Sequence, residues 1–304
     1  RLDGRRPESE RWLDQALAAA PVDLRPAVVR SCVLARAVLP WDDVGQALTL
    51  ARRAWRTERQ GSRRALAAWA LGWASWWNGD LETAAGTLAD ALDGPQVVEI
   101  CALAVLARIE LERGNLDGAE QQVATAEHLM RDRGLDGLPE LGMVSTARGA
   151  LDAAGGSAAA ALAPLEHGVR LRRLWGYPLE TADALVVAAP VVARERGRRA
   201  AGAVLAEARQ LLGASADPGV MPDRLAAATR AALPRPTAGR HDELTSRERA
   251  VLDLLARGRS KREIAQELHV SFNTVHSHTK SIYRKLGVSS RQEAVERAAE
   301  ITLR

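Results

Sequence analysis

Three Ser/Thr-x-x-Glu motifs lie within the last sixty or so residues, and they constrain this segment to a series of short helices. They begin at Thr245, Ser260 and Ser290. In such a motif the hydroxyl caps the first turn of a helix, and the glutamate returns a hydrogen bond to the capping residue. Gly258 and Gly287 suit the left-handed position that ends a helix. With Ser271 as a further N-cap, the segment is predicted to hold four helices.

The third predicted helix, from Ser271 to Leu286, has two unlike faces. On a helical wheel one row is largely apolar and comprises Val275, His278, Ile282 and Leu286. The opposite row carries hydrogen-bonding and basic groups, namely Asn273, Ser277, Lys280 and Arg284. A short helix, the His269-Val270 turn and this two-faced helix together predict a helix-turn-helix.

These residues resemble the DNA-binding domain of LuxR-type regulators over about Leu244 to Ala299. The positions that carry the resemblance are Leu244-Thr-Ser-Arg-Glu-Arg249, Val251-Leu252, Gly258-Arg-Ser-Lys-Arg-Glu-Ile-Ala265, Leu268, Ser271, Thr274-Val275, His278, Ile282-Tyr283, Lys285-Leu-Gly-Val288, Arg291 and Ala294-Val295. The resemblance implies a four-helix domain whose third helix enters the DNA major groove and whose fourth often forms a dimer contact. The family usually has Lys after the Thr-Val pair, whereas this chain has His276.

Positive charge is concentrated in the same segment. The chain has a net charge of +4, and from His241 onward there are 12 Lys and Arg against 9 Asp and Glu. A solvated surface and a phosphate-binding surface are both consistent with this excess, and the motif favours the second. The residues predicted to bind DNA are Lys261, Arg262, Ser271, Asn273, Thr274, His276, Ser277, Lys280 and Arg284. His278 lies on the apolar row and is predicted to be structural.

Residues 1–212 are predicted to be an all-α array of about five helical hairpins. Leu71-Gly72 and Gly79-Asp-Leu81 are echoed by Leu106-Ala107 and Gly114-Asn-Leu116, a period of 35 residues. Weaker copies flank this pair, and the pattern resembles a tetratricopeptide-type repeat. Each hairpin leaves an apolar face uncovered, so stacking into a curved solenoid with a concave face is expected.

Two features of this array and its border leave alternatives open. Seven of the eight tryptophans precede residue 80, and Trp69, Trp73 and Trp76 share one helix face. They suit core packing between hairpins, or else an aromatic-lined pocket or partner surface. Residues 213–243 are rich in turn signals and are predicted to be a linker with a possible short helix, leaving 244–304 as the DNA-binding domain.

Several classes of chemistry are not expected. Cys32 and Cys101 lie far apart in apolar contexts, so free core thiols of a cytoplasmic protein are favoured over a disulfide. No phosphate-binding loop, metal-ligand pattern or catalytic constellation is present, so no enzyme, cofactor or metal is predicted. No stretch approaches eighteen apolar residues, so no membrane partner is expected.

The prediction is therefore a sequence-specific DNA-binding transcriptional regulator that acts as a homodimer on double-stranded DNA. The helical repeats would bind a small-molecule or protein effector. This order of modules resembles the C-terminal part of large MalT-like regulators, so one alternative is that the chain, beginning with Arg1, is a fragment of a larger signalling ATPase regulator. A helical-repeat adaptor with only non-specific nucleic-acid affinity is the other alternative.

Overall fold

A computed structural model describes residues 5–38, 42–233, 244–286, 288 and 290–302. Every regular element in these ranges is helical, which confirms the predicted all-α class. The chain divides into two compact units, Arg1–Leu233 and Pro234–Arg304. In the described ranges no helix is long and apolar enough to cross a membrane.

The first unit contains twelve α-helices within its described residues, with one 3-10 turn at Pro139–Leu141 between α7 and α8. Their bounds are α1 Arg5–Ala19, α2 Arg25–Val38, α3 Val44–Thr57, α4 Gly61–Trp77, α5 Leu81–Ala89, α6 Gln96–Glu112, α7 Leu116–Asp132, α8 Gly142–Ala154, α9 Ala158–Trp175, α10 Pro178–Glu195, α11 Arg198–Gly213 and α12 Met221–Ala232. Pairs α2–α3 through α10–α11 form five helical hairpins, and α1 and α12 flank them.

Most of the hairpin turns share one construction. Gly79, Gly114 and Gly156 end α4, α6 and α8 with φ between 77° and 91°, a conformation that favours glycine. The next residue, respectively Asp80, Asn115 or Ser157, caps the following helix with its side chain. Because each turn closes one helix and opens the next within two residues, the paired helices lie antiparallel and close together.

A small residue faces a large one inside these hairpins. A Cβ added to Gly72 would lie 2.5 Å from Cγ of Leu88, and one added to Gly149 would lie 2.5 Å from Cγ of Leu165. Both leucines are buried. The sixteen-residue spacing of these pairs recurs along the repeats, so the alternation of small and large residues in the sequence reflects close helix approach.

The array closes on itself. Backbone atoms of Asp42 and Val44, just before and at the start of α3, exchange hydrogen bonds with Asp217, at 3.1 and 3.0 Å. The N–H of Val220 donates to the carbonyl of Trp77 at 2.9 Å, joining α4 to the segment before α12. The segment that precedes the last helix therefore meets the first two hairpins of the array.

Helix α12 belongs to this first unit. Four of its side chains are buried, namely Met221, Leu225, Ala228 and Ala232. They join the same hydrophobic core as α4, α6 and α10. Residues 213–233 thus lie in the compact unit, although the sequence predicts a linker with a possible short helix there, because α12 covers the apolar edge that the last hairpin leaves.

The four tryptophans of α4 divide between two environments. Trp76 and Trp77 are buried in the core, while Trp69 and Trp73 are half-buried with ring centroids 4.9 Å apart. Arg108 and Arg224 approach the ring of Trp76, with centroid distances of 5.3 and 4.3 Å. The cluster therefore serves partly as core and partly as an accessible aromatic surface. Cys32 and Cys101 are buried free thiols.

Candidate nucleic-acid interface

The second unit contains four helices in its described residues, as the sequence predicts. They are α13 Ser246–Ala256, α14 Lys261–Glu267, α15 Phe272–Leu286 and α16 Arg291–Thr302. Complete capping boxes open α13 and α14: Thr245 pairs reciprocally with Glu248, and Ser260 with Glu263. The hydroxyl of Ser271 accepts from the N–H of Thr274 at 3.1 Å, so it caps α15.

The turn between α14 and α15 holds a residue in an unusual conformation. His269 has φ 52°, and no other non-glycine residue in the described ranges has a positive φ. The N–H of Val270 donates to the carbonyl of Ala265 at 3.0 Å, and that of His269 to Gln266 at 3.3 Å. This hydrogen-bond pattern is the Schellman motif that Gly258 also forms at the end of α13, and it sets the angle between α14 and α15.

Helix α15 has one buried row. Val275, Thr279 and Ile282 are buried, and the hydroxyl of Thr279 donates to the carbonyl of Val275 at 2.7 Å. Val275 and Ile282 pack with leucines of α13 and with Ile264 of α14. The predicted core histidine, His278, is half-buried beside this row. The apolar row therefore fixes which side of α15 faces the domain.

Glu248 anchors α15 through polar contacts as well. Its buried carboxylate accepts from Ser281 Oγ at 2.7 Å and from Lys285 Nζ at 2.8 Å, in addition to the backbone N–H of Thr245. Burial alone would raise the pKa of Glu248, but the bonds from Lys285, Ser281 and Thr245 together lower it to about 2. One side chain thus caps α13 and also holds the C-terminal half of α15.

The fourth helix is tied to the first. Nη2 of Arg291 donates to the carbonyl of Leu255 at 2.6 Å, and this carbonyl, near the end of α13, also accepts from the N–H of Gly258. Ala294 is buried in the same core. The hydroxyl of Ser290 accepts from the N–H of Glu293 at 3.2 Å, as the third predicted cap requires.

The side chains predicted to bind DNA lie mostly on the exposed side of α15 and at the start of α14. Those exposed to solvent are Arg262, Ser271, Asn273, His276, Ser277 and Lys280. Lys261 and Thr274 are half-buried. Arg284 lies within α15, but its side chain is outside the described residues, as is the predicted helix end Gly287.

Lys261 and His276 meet where α14 and α15 come together. Nζ of Lys261 lies 3.3 Å from Nδ1 of His276, within hydrogen-bond distance of an ammonium donor. His276 therefore stands beside an existing cation. Arg259, by contrast, lies within 4 Å of Glu263 and Glu267, so its charge is directed back onto α14.

Two features of the site do not follow from the apolar pattern in the sequence. Phe272, the only phenylalanine of the chain, is 48% exposed at the first position of α15. Thr279 is buried although its hydroxyl is polar, and its helical-wheel position beside Val275 was the available signal. Within the described residues no group of three or more metal-ligating side chains occurs.

Comparison with known proteins identifies this unit. Residues 242–298 match the GerE family model, bacterial regulatory proteins of the luxR family. The transcriptional regulatory protein UhpA of Salmonella typhimurium is 50% identical over 60 residues, covering 20% of this chain and 31% of that protein. The HTH-type transcriptional regulator MalT of Yersinia pestis is 45% identical over 62 residues, 20% of this chain and 7% of that protein.

The chain thus covers less than a third of each of these relatives. Among solved structures, BtubC from P. vanneervenii is similar at 18% identity and a TM-score of 0.44, covering 70% of this chain and 91% of that one. Helix order, capping and the family match agree for the last unit: residues 242–298 are a luxR-family helix-turn-helix domain of the kind found in bacterial regulatory proteins.

Proposed function

We propose that the protein is a sequence-specific DNA-binding transcriptional regulator and that α15 reads the major groove. The observation that carries this proposal is the contrast between the two sides of α15. Val275, Thr279 and Ile282 are buried against the domain, whereas Asn273, Ser277 and Lys280 stand exposed without competing ion pairs in the described part of the unit. A helix held in this way presents its polar row to a partner of about its own width, which the major groove provides.

The exposed side chains suit two kinds of contact. Asn273 offers the paired donor and acceptor that match an adenine edge, and Lys280 can donate to guanine or phosphate. Ser271 and Arg262 lie near the start of a helix, where phosphate oxygens are favoured, and Lys261 adds charge beside them. Phe272 adds an exposed apolar surface next to Asn273, suited to a thymine methyl group.

The test begins with selection of duplexes from a random library by the full chain, which identifies the preferred site. Affinity for that site should exceed affinity for random duplex by roughly a thousandfold or more at physiological salt. Equal affinities at every salt concentration would instead favour the adaptor with non-specific nucleic-acid affinity.

The double variant Lys280→Ala plus Arg284→Ala tests the assignment of α15. We expect specific affinity to fall by about 100-fold or more, since each good base contact is worth roughly 1 to 3 kcal/mol. The matched control removes two exposed arginines of α11 with the same charge change, Arg199→Ala plus Arg209→Ala. An unchanged footprint in the α15 variant would refute the assignment.

His276→Lys tests the border between α14 and α15. A lysine side chain carries a full positive charge at pH 8, which a histidine side chain does not ordinarily supply. The added charge would stand beside Lys261 and form a two-cation phosphate site. We expect tighter DNA binding at pH 8 and a steeper salt dependence; unaltered or weaker binding would place His276 away from DNA.

We propose further that two such domains act together on repeated half-sites, with α16 providing the contact between them. A single domain contributes few cations, and linking two domains raises affinity without new contacts to each half-site. Selected duplexes should therefore contain two copies of one short sequence about one helical turn apart. A single isolated copy with full affinity would contradict the dimer.

The first unit is proposed to sense an effector and to control DNA binding. The support for this sensor role is the accessible part of the tryptophan cluster, where Trp69 and Trp73 remain half-buried inside the repeat array.

The alternative function is that of a fragment of a larger signalling ATPase regulator. Reading the encoding gene upstream of Arg1 for a phosphate-binding loop tests it directly.

A further inference from the structure

A cavity of about 200 Å³ opens inside the first unit, between α2, α4, α6 and α9. Its size is more than ten times the space that one water requires, so it has room for a small molecule. Three half-buried indoles line it together with one thioether and three charged groups: Trp69, Trp73, Trp175, Met143, Glu140, Arg172 and Glu180. The lining is therefore mainly apolar, with three indoles and with charge at defined points.

The charged side chains that line the cavity differ in whether they have a partner of opposite charge. Nη1 of Arg172 donates to Glu180 at 2.5 Å, and the indole of Trp175 also donates to Glu180. The positive charge of Arg172 is thereby matched. Glu140, half-buried in the 3-10 turn, has neither a hydrogen bond nor an ion pair with any residue that the structure describes. The cavity thus contains one carboxylate that lacks a counter-charge.

A buried thiol also lines this cavity. Cys101 lines the cavity, and burial raises its pKa to about 12. Arg172 acts in the opposite direction, while Glu180 and Glu140 raise the pKa further. Cys101 and Glu140 thus line the same cavity, with burial as the main cause of the raised pKa of the thiol.

We propose that this cavity binds a small organic cation, which places its charge against Glu140 and its apolar groups against Trp69, Trp73 and Trp175. A cation is attracted to the face of an indole by the ring quadrupole, and this attraction grows when water is excluded. An anion would meet Glu140 without any free cation to compensate it. A neutral apolar ligand would leave the Glu140 carboxylate partly desolvated and unpaired.

The position of the cavity fits the sensor role, and the inference deepens that part of the proposed function. Trp73 lines the cavity and lies 5.8 Å, between ring centroids, from Trp76. Arg224 of α12 lies over Trp76 and donates to Glu112 at 2.7 Å. A ligand against Trp73 would therefore act on the same aromatic cluster that holds the last helix of the unit.

The experiment uses choline and its uncharged isostere, neohexyl alcohol, in which carbon replaces the quaternary nitrogen. Tetraethylammonium serves as a second cation. Binding to the full chain is followed by tryptophan fluorescence and calorimetry without DNA. We expect saturable binding of at least one cation, about tenfold or more tighter than the isostere. Glu140→Gln should weaken cation binding by about tenfold or more and leave the isostere unaffected.

Glu82→Gln is the matched control, because Glu82 is exposed on α5 and does not line the cavity. It should leave cation binding unchanged. The inference is overturned if neither cation binds saturably, if the isostere binds as tightly as choline, or if Glu140→Gln has no effect. DNA affinity is measured separately with and without the cation. Insensitive DNA binding would contradict the sensor role, whereas the cation site is judged by the titration alone.

Discussion

The carboxylate of Glu248 gives the sharpest test of how the second unit is held together. Its pKa of about 2 lies well below the ordinary value of 4.5. A shift of this size means that folding favours the ionised form by about 3 kcal/mol, at 1.36 kcal/mol for each unit. Glu248→Gln keeps an acceptor for the N–H of Thr245 but removes the charge beside Lys285. We therefore expect a loss of about 3 kcal/mol at pH 7, within the range for breaking a buried ion pair.

The pH dependence follows from the direction of the shift. A carboxylate whose folded-state pKa is lowered contributes its full stability above the ordinary pKa and loses it as pH falls toward the folded-state value. Between pH 4.5 and pH 2 the contribution of Glu248 should therefore disappear progressively. At pH 3 the difference between the wild-type protein and Glu248→Gln should be about 1.5 kcal/mol.

Hydrogen exchange followed by mass spectrometry is the suitable assay, because all eight tryptophans lie in the first unit and fluorescence would not report on α13. A loss of 3 kcal/mol corresponds to roughly 150-fold faster exchange for the most protected amides of α13 and α15. Helix α8 of the first unit provides the internal control and should be unaffected. Each comparison is made at a single pH, so intrinsic exchange rates cancel.

A double-mutant cycle separates the charge pair from the capping contacts. Lys285→Met removes the ammonium, so Glu248→Gln should cost less in that background than in the wild-type protein. Exchange in α13 and α15 that is unchanged by Glu248→Gln at pH 7, or an effect of equal size at pH 3, would refute this account of Glu248.

Three further changes test other parts of the fold. Gly72→Ala should destabilise the first unit by about 1 to 3 kcal/mol, because the added Cβ would meet the side chain of buried Leu88. Urea unfolding followed by tryptophan fluorescence measures this loss. The control is Gly86→Ala, whose Cβ would meet nothing within 4 Å and which should stabilise its helix. His269→Gly should stabilise the second unit by about 0.5 to 1 kcal/mol, measured by exchange in α14, because glycine adopts φ 52° without strain. Cys101 should stay unmodified by a thiol reagent at pH 8 until the protein unfolds, because a pKa of about 12 leaves roughly one thiol in ten thousand ionised. Mass spectrometry of the intact protein measures the extent of modification.

Local signals in the sequence were sufficient to predict most of the second unit. Thr245, Ser260 and Ser271 cap helices as expected, because a cap depends on residues only three positions apart. Gly258 ends α13 with φ 86° for a similarly local reason. His269 adopts the same left-handed conformation, which its side chain does not favour. No glycine marks the end of α14, so this left-handed residue was not predictable from the local sequence.

The first unit shows where periodicity is insufficient. The repeats predict hairpins, and the pairing of Gly72 with Leu88 follows from the same pattern. The closure of the array depends instead on Asp217, which bonds to residues about 170 positions earlier. No short-range pattern encodes such a contact, since it depends on the summed rotation of five hairpins. The cavity beside Glu140 has the same origin, because its lining comes from several separate helices.

The residues that hold α15 in place and the residues that it exposes are different ones. The buried row of α15 settles which side faces the domain, but rotation and sliding of a smooth apolar row would cost little. Glu248 removes that freedom, because its two hydrogen bonds to Ser281 and Lys285 are directional and lie at the C-terminal half of the helix. The exposed positions Asn273, Ser277 and Lys280 take no part in this anchoring. They can therefore change, and with them the DNA sequence that we propose is read, while the helix keeps its position.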